Sequence, residues 1–413
     1  MPAPDALKWS LDPSITFLNH GSFGATPRAV LEDQTTWRMR LEAEPVLFLD
    51  RELPGLLAEA RLALGAVLGG DEDDLAFVSN ATTGINAVLR SLRFSPGDEL
   101  LATDHEYNAT LNALREVAER DRARVVIARV PFPVRSPAEV IDAVVGATTS
   151  RTRLALVSHV TSPTAAIFPI RDVVRELQGR GVDVLVDAAH APGMVAFDLD
   201  ETGAAYTAGN LHKWLCAPKG SGFLHVRRDR RHLIRPVVIS HGANGEGAGH
   251  DRFRAEFDWT GTGDPTPYLA VPAAIRLLES LRPGGLAALI TDRRALTLAV
   301  RDRLCEALGV APPLPDSMVG TMTAIPLPAD FPADLQAQLF DRHRIEVPVA
   351  EWPVRAARED GRQPLRLLRV SVAPYTDLGD VERLVDALED LRLAGLGRQG
   401  RPASVAGRIT SAE

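Results

Sequence analysis

Cysteine is scarce in this sequence, because Cys216 and Cys305 are the two in a chain of 413 residues. A disulfide framework needs paired cysteines and a metal site needs closely spaced ligands, so neither is expected. The N-terminus also lacks a basic stretch leading into an apolar run, and no uncharged apolar stretch reaches the roughly 20 residues that cross a bilayer. These absences predict a protein of the reducing cytoplasm.

Positive charge is not in excess either: 46 Lys and Arg face 54 Asp and Glu, which gives a formal net charge of −8. Nucleic-acid-binding domains usually carry a clustered basic surface, so this balance argues against a nucleic-acid partner. The chain is 45% apolar, and its 413 residues are more than one compact core usually contains. Two domains are therefore expected.

Short β-branched and apolar runs alternate with stretches of helical period. The runs lie at residues 75–78, 125–128, 154–157 and 182–186, and residues 109–120 have the apolar spacing of a crossover helix. This alternation predicts an α/β fold with a mostly parallel sheet covered by helices on both faces. In such a sheet, ligands bind at the carboxyl ends of the strands.

The pattern changes near Thr266 to long helical segments and a mixed terminal part, which predicts a smaller second domain. The last residues mix Gly, Arg, Ser, Ala and Pro without periodicity, so we expect them to be disordered. The expected organisation is an N-terminal arm at 1–24, a large domain at 25–265, a small C-terminal domain at 266–394 and a disordered tail at 395–413.

Lys213 lies in the segment Asn210-Leu211-His212-Lys213-Trp214, which a Gly-rich stretch follows. A catalytic lysine must be desolvated to be nucleophilic, and such a polar, aromatic setting can hold it between strands. A single lysine is usually solvated surface. The flanking His212 and Trp214 nevertheless favour Lys213 over Lys219.

The apolar strand at 184–186 ends in Asp187, and His190 follows three residues later. A carboxylate at this place could pair with the pyridine nitrogen of pyridoxal phosphate, because the protonated ring is the electron sink of that cofactor. The alternative for Asp187 is capping of the next helix. His190 could bond the ring hydroxyl or pack on the ring, or be an ordinary core or surface histidine.

Two other strand ends carry candidate cofactor contacts. Ala81 and Thr82 open a helix after the strand at 75–78, where backbone N–H groups and hydroxyls suit a phosphate; simple N-capping is the alternative. Tyr107 follows a strand near residue 103 and could stack on a cofactor ring, with His105 as second choice. Either aromatic could instead be ordinary packing.

These segments, in this order, resemble the class V aminotransferase family of fold-type I pyridoxal-phosphate enzymes, and most closely its isopenicillin N epimerase-like branch. Residues 17–24, 158–163, 210–214 and 345–349 carry the likeness, which runs from about Thr16 to Leu393. The resemblance implies a seven-stranded, mostly parallel sheet in the large domain and a smaller C-terminal α+β domain. It also implies a homodimer whose active sites are shared between subunits.

The resemblance further implies the role of each candidate residue. Lys213 would carry pyridoxal phosphate as a Schiff base and, once freed, remove the Cα proton of an amino-acid-like substrate. Asp187 would pair with the pyridine nitrogen and His190 would approach the ring hydroxyl. The phosphate would be held by Ala81, Thr82, Asn210 and His212, and by Thr262 from the neighbouring subunit. The substrate would be held by Arg369 as a carboxylate clamp, with Asn19 and His20 lining its pocket.

Removal of the Cα proton is common to several reactions. The resemblance favours reprotonation from the opposite face, which is epimerisation and needs a second acid, for which Tyr107, His105 and His20 are the candidates. The alternatives are a C–S β-lyase, an aminotransferase or deaminase, and, in another class, a non-catalytic regulatory protein of the same fold. A persulfide mechanism is disfavoured, because Cys305 lies in a helical run and Cys216 follows Lys213 too closely.

Overall fold

The computed structural model describes residues 5–244, 252–358 and 363–399, with side chains up to residue 393 in the last helix. The strands are β1 Thr16–Phe17, β2 Leu75–Val78, β3 Glu99–Thr103, β4 Arg124–Ala128, β5 Thr152–Ser158, β6 Asp183–Ala188, β7 Tyr206–Asn210, β8 Gly222–Val226, β9 Met322–Pro326, β10 Ile345–Glu346, β11 Val349–Trp352 and β12 Leu365–Ser371. The α-helices are α1 His20–Phe23, α2 Arg28–Ala43, α3 Leu53–Leu68, α4 Ala81–Ser91, α5 Asn108–Asp121, α6 Pro137–Gly146, α7 Ile170–Gln178, α8 Leu199–Thr202, α9 Arg252–Asp258, α10 Thr266–Leu269, α11 Val271–Ser280, α12 Gly285–Leu308, α13 Leu335–His343 and α14 Leu378–Gln399.

Seven strands form the main sheet in the order β2-β8-β7-β6-β5-β3-β4. Strand β8 runs antiparallel to both neighbours, and the other pairs are parallel. The register sets Ser158 beside Asp187, and Asp187 beside Ala208. The expected mostly parallel, seven-stranded α/β sheet is therefore confirmed.

Side chains of the central strands alternate between two apolar layers. Val184 and Val186 of β6 point into a core shared with α3, α6 and α7, whereas Leu185 points into a second core shared with α4 and α5. Because both faces of the sheet are buried, the sequences of these strands are continuously apolar and do not alternate between apolar and polar residues. The polar ends of β5 and β6 thus meet at one edge of a rigid sheet.

A second, antiparallel sheet of order β11-β12-β9 packs with α12, α13 and α14 in the C-terminal part. Strand β1 of the N-terminal arm pairs in parallel with β10. Leu18 continues this contact, since its N–H donates to the Glu346 carbonyl and its own carbonyl accepts from the Ser371 N–H. The arm is therefore anchored on the smaller α+β unit before it reaches the main sheet.

The packing of the helices puts the boundary between the large and the small unit later in the chain than the expected residue 266. Val271 and Leu278 of α11, and Leu289 of α12, lie in the core of the large unit, whereas Leu304 of α12 lies in the core of the small one. The division into domains stays a prediction, but packing favours a boundary within α12. The tail expected from 395 begins inside α14, and its residues 400–413 lie outside the described residues.

Over the described ranges, no helix combines the length and the apolar character that crossing a bilayer requires.

We expect Leu185→Ala to lower the free energy of unfolding by about 2–5 kcal/mol, because it empties a tightly packed core. Leu185 is fully buried in the middle of the sheet. Chemical denaturation would measure the change, with Leu62→Ala as control, because Leu62 is 59% exposed. Equal losses in the two variants would contradict this placement of the core.

Candidate functional site

The amine of Lys213 lies in a buried hydrogen-bonded chain at the carboxyl edge of the main sheet. Its Nζ is 3.1 Å from His190 Nε2, and Trp214 Nε1–H donates to His190 Nδ1 over 3.2 Å. Because Nδ1 accepts from the indole, a neutral His190 carries its proton on Nε2. That proton faces the lone pair of a neutral Lys213 amine, so the chain favours the unprotonated lysine.

Burial and nearby charges also favour the unprotonated Lys213 amine. Burial is the main cause that lowers the pKa of Lys213 to about 7; the Arg369 charge adds to this and Asp187 opposes it. Burial, together with the charge of Lys213, also lowers the pKa of His190 well below its ordinary value. A substantial fraction of the Lys213 amine is therefore neutral, and nucleophilic, near neutral pH.

The backbone at Lys213 is held by the N-terminal arm. His20 accepts at Nδ1 from the Tyr375 hydroxyl over 2.8 Å and from the Ala25 N–H over 3.3 Å, so its Nε2–H donates to the Lys213 carbonyl over 2.9 Å. Gly24, at φ +70°, passes so close to the His212 carbonyl that a Cβ would overlap it. Glycine is required there for both reasons.

The expectation that His20 lines the substrate pocket stays a prediction. His20 is fully buried and both ring nitrogens are bonded, so what the structure shows is its support of the Lys213 backbone. Asn19 is nearly buried; its Nδ2 donates to Glu346 over 3.1 Å and its Oδ1 accepts from the Ser22 hydroxyl over 2.5 Å. Asn19 therefore holds Ser22, and its contact with the substrate pocket stays a prediction.

Asp187 is the next-to-last residue of β6, and one of its carboxylate oxygens is bonded while the other is available. Its Oδ1 accepts from the Ala189 N–H over 3.0 Å, and within the described ranges Oδ2 bonds no residue. Burial raises the pKa of Asp187, while the Ala189 N–H and the Lys213 charge oppose that rise. A buried carboxylate of this kind gains most from a cationic partner, which fits a protonated pyridine nitrogen.

Glu106 is a buried carboxyl group beside Asp187 that sequence reasoning missed. Thr103 Oγ1 donates to its Oε1 over 2.7 Å, and the Ser158 hydroxyl donates to its Oε2. Burial is the main cause that raises the pKa of Glu106 to about 7, and the Asp187 charge adds to it. No sequence pattern separates such a glutamate from a surface one, because its partners come from two strands.

The start of α4 is where the phosphate site is predicted. Asn210 Oδ1 accepts from the Ala81 N–H, and Asn80 Oδ1 from the Thr83 N–H, each over 2.8 Å. Thr82 lies between these two bonded amides, and its hydroxyl bonds no other group in the described segments. Asn210 and Asn80 thus orient the helix start, and Thr82 remains the group that fits an anion.

Two further candidates for phosphate contact take different positions. His212 Nδ1 donates to the Ser221 carbonyl over 2.9 Å, which leaves Nε2 as the nitrogen that can face a ligand. Thr262 is exposed in the loop before α10. Its contact with a neighbouring subunit stays a prediction.

Arg369 lies at the base of a cavity of about 310 Å³ that Tyr107 also lines. Its Nη1 donates to the Ser162 carbonyl over 2.8 Å and to the Ser162 hydroxyl over 3.1 Å, and its Nη2 donates to Ser22 Oγ over 2.8 Å. Its buried Nε has no partner in the described part of the chain. Burial lowers the pKa of Arg369 to about 10, so the group stays charged at neutral pH.

A charged guanidinium whose partners are all neutral can accept an anion, and a carboxylate suits its planar fork. Ser22 and Ser162 orient it, although sequence reasoning gave neither of them a role. They lie far from Arg369 in the chain, so spacing could not have found them.

Tyr107 and His105, the two aromatic candidates after β3, differ clearly in their exposure. Tyr107 is 48% exposed and faces the cavity. His105 is fully buried, with Nδ1 2.7 Å from Thr164 Oγ1 and Nε2 3.1 Å from the Val130 carbonyl. His105 therefore has a packing role and does not reach the cavity.

Known proteins are similar to this chain over most of its length. The family model described as aminotransferase class-V matches residues 26–384. Isopenicillin N epimerase of Streptomyces clavuligerus is 38% identical over 394 residues, covering 92% of this chain and 96% of that protein. A probable chloroplastic L-cysteine desulfhydrase of Arabidopsis thaliana is 30% identical over 407 residues, covering 92% and 83%.

Among solved structures, the apo cysteine desulfurase of Thermococcus onnurineus NA1 superimposes with a TM-score of 0.79. The match covers 95% of this chain and 99% of that one at 19% identity, so it supports the fold alone.

Trp214→Phe should raise the pKa of Lys213 above 7, by about one pH unit. Without the indole N–H, His190 can move its proton to Nδ1 and accept at Nε2 from a charged Lys213. The pH dependence of reductive methylation at Lys213, followed by mass spectrometry, would measure this, with Trp37→Phe as control. An unchanged midpoint would contradict the assigned histidine tautomer.

Glu106→Gln should flatten the dependence of stability on pH. A folded pKa of about 7, above the ordinary 4.5, means that the folded state keeps a proton that the unfolded state loses. The free energy of unfolding then falls by about 3 kcal/mol from this group as pH rises from near 4.5 to above 7. Chemical denaturation across that range should show this component in the wild type and in Glu119→Gln, and not in Glu106→Gln. An equal pH slope in Glu106→Gln would show that the carboxyl stays ionised.

Proposed function

Since this chain belongs to the aminotransferase class-V family, whose members are pyridoxal-phosphate-dependent enzymes, we propose that it epimerises an amino-acid-type substrate at Cα. The observation that carries the proposal is the buried Lys213 amine. It contacts His190, and the nearby Arg369 charge lowers its pKa. A base and a carboxylate clamp that are near enough to interact are what Cα proton transfer needs.

When bound, pyridoxal phosphate supplies an electron sink that makes the Cα proton of an attached amino acid acidic. Lys213 would carry the cofactor, Asp187 would keep the ring nitrogen protonated, and His190, which contacts Lys213, would approach the ring hydroxyl. Thr82 and His212 would hold the phosphate. The free Asp187 oxygen and the bonded start of α4 support this assignment.

Arg369 binds the substrate carboxylate and so fixes which bond at Cα faces Lys213. Its Nε has no partner in the described ranges, and Ser162 and Ser22 hold the fork in place. Orientation of this kind contributes to the rate because the reacting atoms no longer need to find each other. Asn19 takes part by holding Ser22.

Lys213 removes the Cα proton on one face. A base works best when its pKa is near the operating pH, and the pKa of Lys213 is lowered to about 7. The buried His190–Trp214 pair holds the amine in position.

Tyr107 returns a proton on the other face. His20 and His105, the other two candidates for the second acid, have both ring nitrogens bonded. Tyr107 is exposed to the cavity that Arg369 lines, and its hydroxyl can donate a proton.

The second candidate function is elimination at a C–S bond, and the likeness to the Arabidopsis L-cysteine desulfhydrase favours it. We place epimerisation first because the likeness to the Streptomyces epimerase is greater over a similar length. Transamination from the same Cα proton removal is a further alternative. A persulfide on the enzyme is not proposed: burial raises the pKa of Cys216 to about 12 and that of Cys305 to about 11, which suppresses both thiolates.

The proposed assembly is a homodimer. Val237, Val238 and Ile239 are all exposed, and the first two line a cavity with Ser79 and Thr83 at the start of α4. The loop with Thr262 borders the same cavity, which supports the expectation that this residue reaches a neighbouring subunit.

Tyr107→Phe should separate proton removal from proton return. In deuterated water, we expect the wild type to exchange the Cα proton and invert the centre, while Tyr107→Phe keeps exchange and loses inversion by about 100-fold or more. NMR and chiral chromatography measure the two rates. Tyr206→Phe is the matched control, since its hydroxyl is buried without a partner in the described residues.

Release of pyruvate or a thiol by the wild type, without any change in the enantiomer ratio, would replace the epimerase with the lyase. Inversion that persists unchanged in Tyr107→Phe would remove Tyr107 from the mechanism.

A further inference from the structure

The cavity above Arg369 contains a second arginine that the proposed proton transfer does not use. Arg355 lines this cavity together with Tyr107, Ser162 and Glu351. The Arg369 side chain is buried, with 6% of its surface exposed, whereas the Arg355 side chain is exposed. The two cations therefore occupy the buried base and the open mouth of one space.

The backbone at Arg355 is fixed against the large unit. The N–H of the next residue, Ala356, donates to Asn108 Oδ1 over 2.9 Å, and its carbonyl accepts from Arg115 Nε over 3.1 Å and from Nη2 over 2.7 Å. Ala357 is buried in the apolar layer of α5. The backbone at Arg355 is therefore fixed at the edge of the cavity that Tyr107 also lines.

Charge at the mouth is unbalanced. Glu351, the acid that lines the cavity, is bonded by the Arg358 guanidinium. In the ranges that the structure describes, Arg355 forms no ion pair or hydrogen bond through its side chain. Among the described residues that line the cavity, Arg355 and Arg369 are therefore two cations without a free carboxylate beside them, and their field attracts a substrate with two anionic groups.

We propose that Arg355 forms a subsite for a second anionic group, so that the preferred substrates are α-amino acids whose side chain ends in a carboxylate. The inference rests on the proposed function for the role of Arg369 at the α-carboxylate. The cavity of about 310 Å³ is at the small end of ligand pockets, which suits a single amino acid of moderate length.

The test compares isosteric pairs that differ in one charge: L-glutamate with L-glutamine, and L-2-aminoadipate with L-homoglutamine. For each, the Cα exchange rate in deuterated water gives kcat/KM with the holoenzyme. We expect the wild type to prefer the acid of at least one pair, and Arg355→Gln to lose about tenfold or more of that preference, the size of one hydrogen bond to a charged group.

Two further variants keep the test decisive. Arg153→Gln, at the opposite end of β5, is the matched control and should keep the wild-type preference. Arg355→Glu should reverse the selectivity, so that L-lysine exchanges faster than L-2-aminoadipate; a gain of this kind cannot come from misfolding.

The subsite is overturned if the wild type does not prefer the acids, or if Arg355→Gln retains the preference. Absence of exchange with every amino acid would instead overturn the proposed function. Calorimetric binding of L-2-aminoadipate and L-homoglutamine to the wild type and to Arg355→Gln then decides the subsite by itself.

Discussion

The cost of burying the Lys213 charge is the constraint on which the rest of the site depends. An ammonium group surrounded by protein loses its hydration, and here it also meets the positive field of Arg369, so the neutral amine is favoured. His190 can meet a neutral amine as a donor only because Trp214 holds its other nitrogen. A base that works near neutral pH thus follows from burial and from one indole N–H.

The same constraint explains the course of the N-terminal arm. The lysine backbone must be fixed if its amine is to stay in place, and His20 and Gly24 fix it from the arm. Ser22, between these two residues, bonds Arg369 of the small unit. One short segment therefore sets the position of the proposed base relative to the proposed carboxylate clamp.

Much of this arrangement could be predicted from sequence, because it depends on local pattern. The buried strand before Asp187 and the neighbours of Lys213 marked both residues at strand ends, and a parallel sheet brings strand ends together. The chain has only three lysines, Lys8, Lys213 and Lys219, a scarcity that would have narrowed the choice further. The roles of His20, Glu106, Ser22 and Ser162 could not be predicted, because each depends on a partner that is remote in sequence.

The lysine that carries the cofactor can be identified directly. Reduction of the holoenzyme with borohydride fixes the cofactor on the lysine that carries it, and peptide mass spectrometry then locates the added mass among the three lysines. We expect the adduct on Lys213. An adduct on Lys219 or Lys8, or a reduced holoenzyme without any adduct, would contradict that expectation.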